Sequence, residues 1–267
     1  MTDIPPPGAF IPGRLGVSGV LADGDLVLDV VPQPGTLHHG VIRASVLSYA
    51  IDAVAGIVLD TDPDAWTLTT DMTVRMAPVP APDRVRAVNT VLRNGRRSAT
   101  ASVEVTTLTG APVASAAIGF ARVPRRAGDP PKHSLSPEEA VAVITDVPRL
   151  SQPLRAEAGI EVLDAAAGVV EVAVTPELRN PAGTLQGAMV ALVAEAAAED
   201  VVAARTGAAV VVTELDLRYL APAPVGPVRT RCRPLGDAPD APVRVELTDT
   251  STGTLTTLVF ARAVVVG

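Results

Sequence analysis

The pattern of hydrophobic and polar positions occurs twice along the chain. Each half begins with a strand of alternating residues, GDLVLDV from Gly24 and GVVEVAV from Gly168. Each continues through a Gly-containing turn into a long apolar helix and a Thr-rich strand that ends in a pair of prolines. Two Val-rich strands follow, and the last ends in FARV at Phe120 or FARA at Phe260. Because the shift between matching segments is nearly constant, the pattern predicts an internal duplication.

The two predicted helices are apolar nearly all round, so each must be enclosed rather than laid on a surface. They cover the apolar stretches 41–59 and 189–204. Both stretches carry too much charge for a membrane span, which favours core helices. One helix followed by antiparallel strands, repeated once, predicts an α+β fold with a curved sheet wrapped around each helix. Each half would have an edge strand that needs covering, so the two sheets are expected to join.

A Pro- and charge-rich stretch separates the two halves. We expect an N-terminal domain over residues 1–123, a linker over 124–152 and a C-terminal domain over 153–267. The linker contains one predicted short helix, in which Ser136 caps, Pro137 takes the first helical position and Glu139 completes a capping box. The rest of the linker is interpreted as a tether on the surface.

Composition excludes several classes of function. A net charge of −7 argues against a nucleic-acid partner, since binding phosphates takes clustered basic residues that acids do not offset. The single cysteine, Cys232, cannot form an internal disulfide and fits a reducing cytoplasm. The three histidines, His38, His39 and His133, do not form a ligand set with an acid cluster, so no metal or other cofactor is expected. The first residues lack the pattern of a signal peptide, and no membrane partner is expected.

A motif in the second half carries a family resemblance. It consists of Asn180, then Gln186-Gly187-Ala188, then an acid nine residues after Gln186 at Glu195, and a strand hydroxyl at Thr213. It resembles the PaaI-like acyl-CoA thioesterases of the hotdog superfamily, whose members usually have Asn, then His-Gly-Gly, then Asp or Glu. The resemblance implies a tandem double hotdog that hydrolyses an acyl-CoA thioester. Here Gln186 replaces the family's histidine.

The first half departs from the family motif in a different way. It keeps His39-Gly40 and has Gln33 where the asparagine would be. It places Ser48 where the acid belongs, and Asp52 lies one turn further along the helix, aligned with Glu199 of the second half.

The chemistry explains the residue types of the motif. A thioester carbonyl gains negative charge when it is attacked, and an N–H group at a helix N-terminus can stabilise that charge. Only a small residue there lets the substrate approach. A carboxylate opposite can attack the carbonyl or activate water, and a nearby hydroxyl or amide can orient the reacting groups.

The resemblance implies that each site is shared between the two halves. The first pairing joins Gln33, His39 and Gly40 to Glu195, Glu199 and Thr213, and the second joins Asn180, Gln186 and Gly187 to Ser48, Asp52 and Thr69. We expect the first pairing to be the working site because only it has an acid at the family's position. The expected catalytic residues are Glu195, Gly40, His39, Gln33 and Thr213. The others are expected to contact substrate: Glu199, Asn180, Gly187, Gln186, Ser48 and Asp52.

Other interpretations stay open. The chain could be a non-catalytic acyl-CoA-binding module, or a hotdog dehydratase, although the sequence motifs of that class are absent. Without the motif, Glu195 and Glu199 would be a solvated face, and Gly40 and Gly187 would simply form turns. A basic segment, RNGRR at 93–97, could meet coenzyme A phosphates or be a solvated hairpin tip. By analogy with other hotdog proteins, a homo-oligomer is expected.

Overall fold

The structure, a computed structural model, describes residues 9–128, 132, 134–144 and 149–267. His133 and parts of the expected linker lie outside these ranges. The described strands, in chain order, are β1 (Val17–Ala22), β2 (Asp25–Val30), β3 (Leu37–His38), β4 (Val41–Ile42), β5 (Ala65–Met76), β6 (Val85–Asn94), β7 (Ser98–Thr107), β8 (Pro112–Pro124), β9 (Glu161–Asp164), β10 (Val169–Val172), β11 (Val210–Tyr219), β12 (Val228–Pro234), β13 (Val243–Asp249) and β14 (Thr254–Val265). The α-helices are α1 (Ala44–Leu59), α2 (Pro137–Val143), α3 (Leu154–Glu157) and α4 (Gly187–Thr206), and short 3₁₀ turns cover Ile11–Arg14, Pro34–Thr36 and Pro176–Leu178.

Twelve of these strands form one antiparallel sheet. Their order is β1-β2-β6-β7-β8-β5-β11-β14-β13-β12-β10-β9. The strands of each half follow the same order outward from the centre, where β5 pairs with β11. At this junction Leu217 faces Met72 in register, and both side chains are buried. The two halves therefore share one sheet, as their edge strands required.

The helices α1 and α4 are enclosed by the sheet and pack against each other. Most residues of both helices are buried, which agrees with their apolar sequences. The side chains that fill the core between helices and strands are mainly Val, Leu, Ile and Ala. This arrangement, a large antiparallel sheet with two long core helices, is the expected α+β class.

The linker helix forms as the sequence predicts. The Ser136 hydroxyl accepts from the Glu139 N–H at 3.2 Å, and the Glu139 carboxylate accepts from the Ser136 N–H at 2.8 Å. The helix α2 lies on β1, where the Gly19 N–H donates to the Ile144 carbonyl at 3.0 Å. A Cβ at Gly19 would come within 2.9 Å of the Val141 Cα. This part of the linker is therefore packed against the first half.

The start of the first long helix differs from the sequence expectation. We expected Gly40 to supply the first helical N–H, but α1 begins at Ala44. His39 and Gly40 instead form the two-residue turn between β3 and β4, with φ of 46° and 77°. Positive φ at both positions is what such a tight hairpin turn requires. The second half has a matching turn before α4, closed by an antiparallel bridge between Arg179 and Leu185.

The positions at which α1 and α4 begin change the equivalence of the two halves. The N-cap residues of α1 and α4 are Arg43 and Gln186. When these two residues are aligned, the counterpart of Glu195 is Asp52 rather than Ser48. The strands support the same alignment of the halves, because equivalent bulges lie between Thr69 and Asp71 of β5 and between Val212 and Glu214 of β11. In this alignment the counterpart of Thr69 is Val212 rather than Thr213.

Among the described residues no helix is long and apolar enough to cross a bilayer.

The shared sheet predicts that the β5–β11 junction is essential for stability. Leu217→Ala should lower the free energy of unfolding by about 2–5 kcal/mol, since it opens a cavity at a side chain with no solvent exposure. Leu220→Ala, just beyond the same strand and 56% exposed, should change it by less than about 0.5 kcal/mol. Urea titration followed by circular dichroism measures both. Equal effects of the two substitutions would contradict this role of the junction.

Candidate active site

The first pairing brings Glu195 of α4 onto the N-terminus of α1. Its carboxylate accepts from the Ala44 N–H at 2.8 Å and from the Ser45 hydroxyl at 2.5 Å. The amides of a helix's first turn have no partner within the helix, and they favour negative charge. Glu195 therefore occupies the position at which a substrate oxyanion would otherwise bind.

Arg43 lies between the two acids of this pairing. Its Nη1 lies 3.0 Å from Oε2 of Glu199 and 3.6 Å from Oε2 of Glu195. The three side chains are only 4%, 3% and 1% exposed, respectively. A buried cation between two carboxylates offsets much of the cost of removing them from water. We call Arg43, Ser45, Glu195 and Glu199 the buried ionic cluster.

Titration of this cluster is perturbed by its burial. Burial raises the pKa of Glu199 to about 8, although Arg43 opposes the shift. His38, whose Nε2 lies 3.5 Å from Glu199, has its pKa lowered to about 3 by burial and then by the nearby Arg43. Burial therefore favours the neutral forms of Glu199 and of the adjacent His38.

Four other residues expected at the first pairing have different roles in the structure. Gln33 donates from Nε2 to the Arg14 carbonyl at 2.7 Å and accepts from the Leu150 N–H at 3.2 Å, so its amide joins three segments of backbone. His39 and Gly40 are exposed at the hairpin turn. The Thr213 hydroxyl is 3.5 Å from the Arg262 carbonyl. The structure thus brings only Glu195 and Glu199 to the start of α1.

The second pairing places Asp52 of α1 beside Thr69 of β5. The Thr69 hydroxyl donates to the Asp52 carboxylate at 2.6 Å. Burial raises the pKa of Asp52, and the Thr69 hydrogen bond partly opposes the shift. A carboxyl group with a raised pKa that is also oriented by a hydroxyl has the properties of a general base. The first pairing has Val212 at the position of Thr69.

Tyr219 connects Asp52 to the N-terminus of α4. Its hydroxyl donates to the Gly187 carbonyl at 3.1 Å, and a Cβ at Gly187 would lie 3.4 Å from that oxygen. Burial raises the pKa of Tyr219, and so does the nearby charge of Asp52. The same two causes raise the pKa of Tyr49 to about 12. Both tyrosines of the chain therefore lie at this pairing.

Two further residues shape the start of α4. The Gln186 side chain caps the helix by accepting from the Ala188 N–H at 2.6 Å. The Asn180 side chain accepts from the Thr184 N–H at 3.1 Å and holds the turn that precedes the helix.

Ser48, also expected at the second pairing, donates to the Ala44 carbonyl inside α1 at 2.8 Å and is completely buried. Gln186 and Asn180 are thus part of the support for Gly187, whereas Ser48 is bonded within its own helix.

The two pairings differ in their access to solvent. The second pairing is half-buried at each of its residues, Gly187, Asp52, Thr69, Tyr49 and Tyr219. The buried ionic cluster is closed. Sequence comparison missed Tyr49 and Tyr219, although an aromatic content of only 2% could have drawn attention to them. The part of the chain that the structure describes contains no group of His, Cys, Asp and Glu arranged to hold a metal ion.

Comparison with known proteins agrees with this architecture. A family model described as the thioesterase superfamily matches residues 182–236, which include Gly187, β11 and Tyr219. The tesB protein of Mycobacterium avium subsp. paratuberculosis has a TM-score of 0.63 at 14% identity, over 96% of this chain and 98% of that one. A conserved protein with a hotdog fold from Alicyclobacillus acidocaldarius has a TM-score of 0.62 at 12% identity, over 96% and 98%. The chain has the hotdog fold.

A third similar structure is an acyl-ACP thioesterase from Bacteroides thetaiotaomicron. It has a TM-score of 0.58 at 14% identity, over 89% of this chain and 97% of that one. No curated protein sequence matches the chain. At such low identities the structural comparisons establish the hotdog fold, and the chemistry of the site has to be argued from its residues.

The buried ionic cluster should be essential for stability. Arg43→Met should lower the free energy of unfolding by about 3–5 kcal/mol, because it leaves the buried acids Glu195 and Glu199 without their cation. Arg218→Met is the matched control, since Arg218 is 45% exposed beside Asp216 and such pairs contribute at most about 1 kcal/mol. Chemical denaturation measures both variants. A loss of under 1 kcal/mol at Arg43 would show that the cluster is not a structural ion pair.

The cluster also predicts a pH dependence of stability. A folded pKa near 8 for Glu199 means that the folded state retains a proton that the unfolded state has already released. Stability should therefore fall as pH rises from about 4.5 to 8, by at most about 1.4 kcal/mol per pH unit. His38 acts in the opposite sense between about 3 and 6.5, and Asp52, whose pKa is also raised, acts in the same sense as Glu199. The Glu199 contribution is therefore the difference between wild type and Glu199→Gln in the window from 6.5 to 8. Glu199→Gln should flatten the stability curve in that window, and an unchanged slope would refute this assignment.

Proposed function

We propose that the protein hydrolyses an acyl thioester at the second pairing, between Gly187 of α4 and Asp52 of α1. The observation that carries the proposal is Asp52, a half-buried carboxyl group that Thr69 orients, next to an accessible helix N-terminus. The hotdog fold and the thioesterase-superfamily match over residues 182–236 support this reaction class. The finer features that the sequence resemblance implies, namely an acyl-CoA substrate and a duplicated double hotdog, are part of the same proposal.

Gly187 is the proposed oxyanion-binding group. The amides of Ala188 and Met189 already donate to Gln186, at 2.6 and 2.9 Å. The first amide of α4, that of Gly187, is the one assigned to the thioester carbonyl. The helix dipole would favour the charge that develops on that oxygen, and the absence of a side chain at Gly187 lets the carbonyl approach.

Asp52 is the proposed base. It takes a proton from a water molecule as the water oxygen bonds to the carbonyl carbon. The carbon–sulfur bond then breaks, the acyl group leaves as a free acid, and the departing thiolate takes up a proton. Thr69 holds the carboxylate in place, and Tyr219 fixes the Gly187 peptide through its carbonyl. Because the base must be ionised, the rate should rise with pH through the raised pKa of Asp52.

The geometry favours Asp52 over Glu195 as the working acid. The amides at the start of α1 already bind the Glu195 carboxylate, and Arg43 holds that carboxylate in a closed cluster. The first pairing also has Ala44 in place of Gly187 and Val212 in place of Thr69. A non-catalytic acyl-CoA-binding module is the alternative, and the closed first pairing is the observation that favours it.

Substitution of Asp52 tests the proposal directly. Asp52→Asn should lower thioester hydrolysis at least about a hundredfold, because the asparagine keeps the shape but cannot accept the proton. Ser48→Ala, one turn earlier on the same helix, should retain most of the activity. Free-thiol release from a panel of acyl-CoA substrates measures both, with circular dichroism to confirm folding.

Three outcomes would count against parts of the proposal. Full activity in Asp52→Asn would remove Asp52 as the base. Loss of activity in Glu195→Gln, with folding intact and Asp52→Asn active, would return the site to the first pairing. Tight binding of acyl-CoA without any hydrolysis would establish the binding-module alternative.

A further inference from the structure

We propose that Arg93, Arg96 and Arg97, called here the basic tip, bind the phosphates of the nucleotide part of a coenzyme A thioester. The inference rests on the proposed function, since it names the part of the substrate that lies outside the reacting centre. The three residues surround the turn between β6 and β7, and all are exposed. None of them forms an ion pair with any residue that the structure describes.

Direct contacts hold the basic tip against the end of α1. Arg122 donates from Nη2 to the Asn94 side chain at 2.6 Å and to the Leu59 carbonyl at 3.3 Å. Its backbone N–H donates to the Arg97 carbonyl at 2.9 Å. Arg122 thus fixes the turn beside the last residue of the helix that carries Asp52.

The register of the sheet gives the distance from the proposed site to the tip. Thr69 and Ala99 both pair with Phe120, on opposite sides of β8. Neighbouring strands lie about 4.8 Å apart, so Ala99 is about 10 Å from Thr69, and Arg97 lies two residues beyond Ala99. A thioester held at Asp52 and Thr69 can therefore extend its pantetheine arm along this end of the molecule toward the arginines.

Neighbouring acids that the structure describes form no ion pair with the basic tip. At the same end of the molecule, Asp60 binds Lys132 at 2.7 Å, and the Asp62 carboxylate accepts from the Asp64 N–H at 2.9 Å. These acids have partners of their own in the loop after α1. The tip therefore presents three positive charges on a chain whose net charge is −7.

The equivalent turn of the second half provides a built-in comparison. It lies between β12 and β13, carries two exposed acids, Asp237 and Asp240, and is flanked by one exposed arginine, Arg233. Arg205, in the last turn of α4, donates to the carbonyls of Gly236 and Asp237 at 3.2 and 3.1 Å. This turn therefore lies at the C-terminal end of α4, the helix that carries Glu195 and Glu199 of the closed first pairing. Only the turn beside the open pairing is basic.

The side-chain type fits phosphate recognition. A guanidinium group donates two parallel hydrogen bonds to phosphate oxygens, and it is charged at every relevant pH. Coenzyme A carries a diphosphate and a separate ribose phosphate, whereas pantetheine carries none. The basic tip should accordingly add affinity for the nucleotide portion of coenzyme A without contacting the thioester.

The test compares acyl-CoA with the phosphate-free acyl-pantetheine of the same acyl group. Wild-type protein should prefer acyl-CoA about tenfold or more in kcat/KM, mainly through KM, and the preference should decrease as salt is added. In Arg93→Gln/Arg96→Gln/Arg97→Gln the preference should fall to about one. The matched control, Asp237→Asn/Asp240→Asn at the opposite turn, should retain the wild-type preference.

Several results would overturn the inference. One is a wild-type preference near one, and another is an unchanged preference in the triple variant. A strong preference for acyl-carrier protein over acyl-CoA that is lost in the triple variant would assign the tip to an acidic protein surface instead. If wild type hydrolyses neither thioester, the proposed function fails, and calorimetry with free coenzyme A and free pantetheine still tests the tip. Equal binding of those two ligands would then reject it.

Discussion

The packing of α1 against α4 is the constraint on which the rest of the structure depends. Glu195 in the middle of α4 meets the first turn of α1, and Tyr219 connects the first turn of α4 to Asp52 in the middle of α1. Each helix therefore has an acid of the other helix near its N-terminus, and at α1 the amides donate to that acid. The shared sheet, joined at β5 and β11, keeps the two helices in this position. Two similar pairings follow from a single helix contact.

The two pairings solve the same electrostatic problem in different ways. At the start of α1 a protein carboxylate satisfies the free amides, and Arg43 makes the arrangement a stable, closed cluster. At the start of α4 a capping glutamine satisfies part of the requirement and leaves a glycine at the first position. The first solution gives rigidity. The second leaves the Gly187 amide without a side-chain cap, near an acid, a threonine and two tyrosines that are half-buried.

The sequence predicted the fold better than it predicted the site. Repeated hydrophobic patterns gave the long helices, the shared sheet and the capped linker helix, because each depends on local periodicity or on a local cap. The candidate site depended on aligning the halves to the residue, and the sequence motif matched the His39-Gly40 turn, rather than the start of α1, to the start of α4. His39-Gly40 resembled the family motif, but a glycine in a tight turn looks the same in sequence as one at a helix start. With Arg43 aligned to Gln186, Asp52 becomes the counterpart of Glu195. Exposure and ionic contacts, which distinguish the two pairings, are properties of the folded chain.

The β5–β11 junction has a consequence for how such a protein can change over time. When two identical subunits form two equivalent sites, every substitution appears in both, and neither site can specialise without the other. Here both pairings belong to one polypeptide, so a mutation alters only one of them. Arginine at position 43 could therefore close one pairing while glycine at position 187 was kept at the other. Covalent linkage releases the molecule from the symmetry of its own architecture, and it allows one pairing to strengthen the fold while the other keeps its acid and its glycine only half-buried.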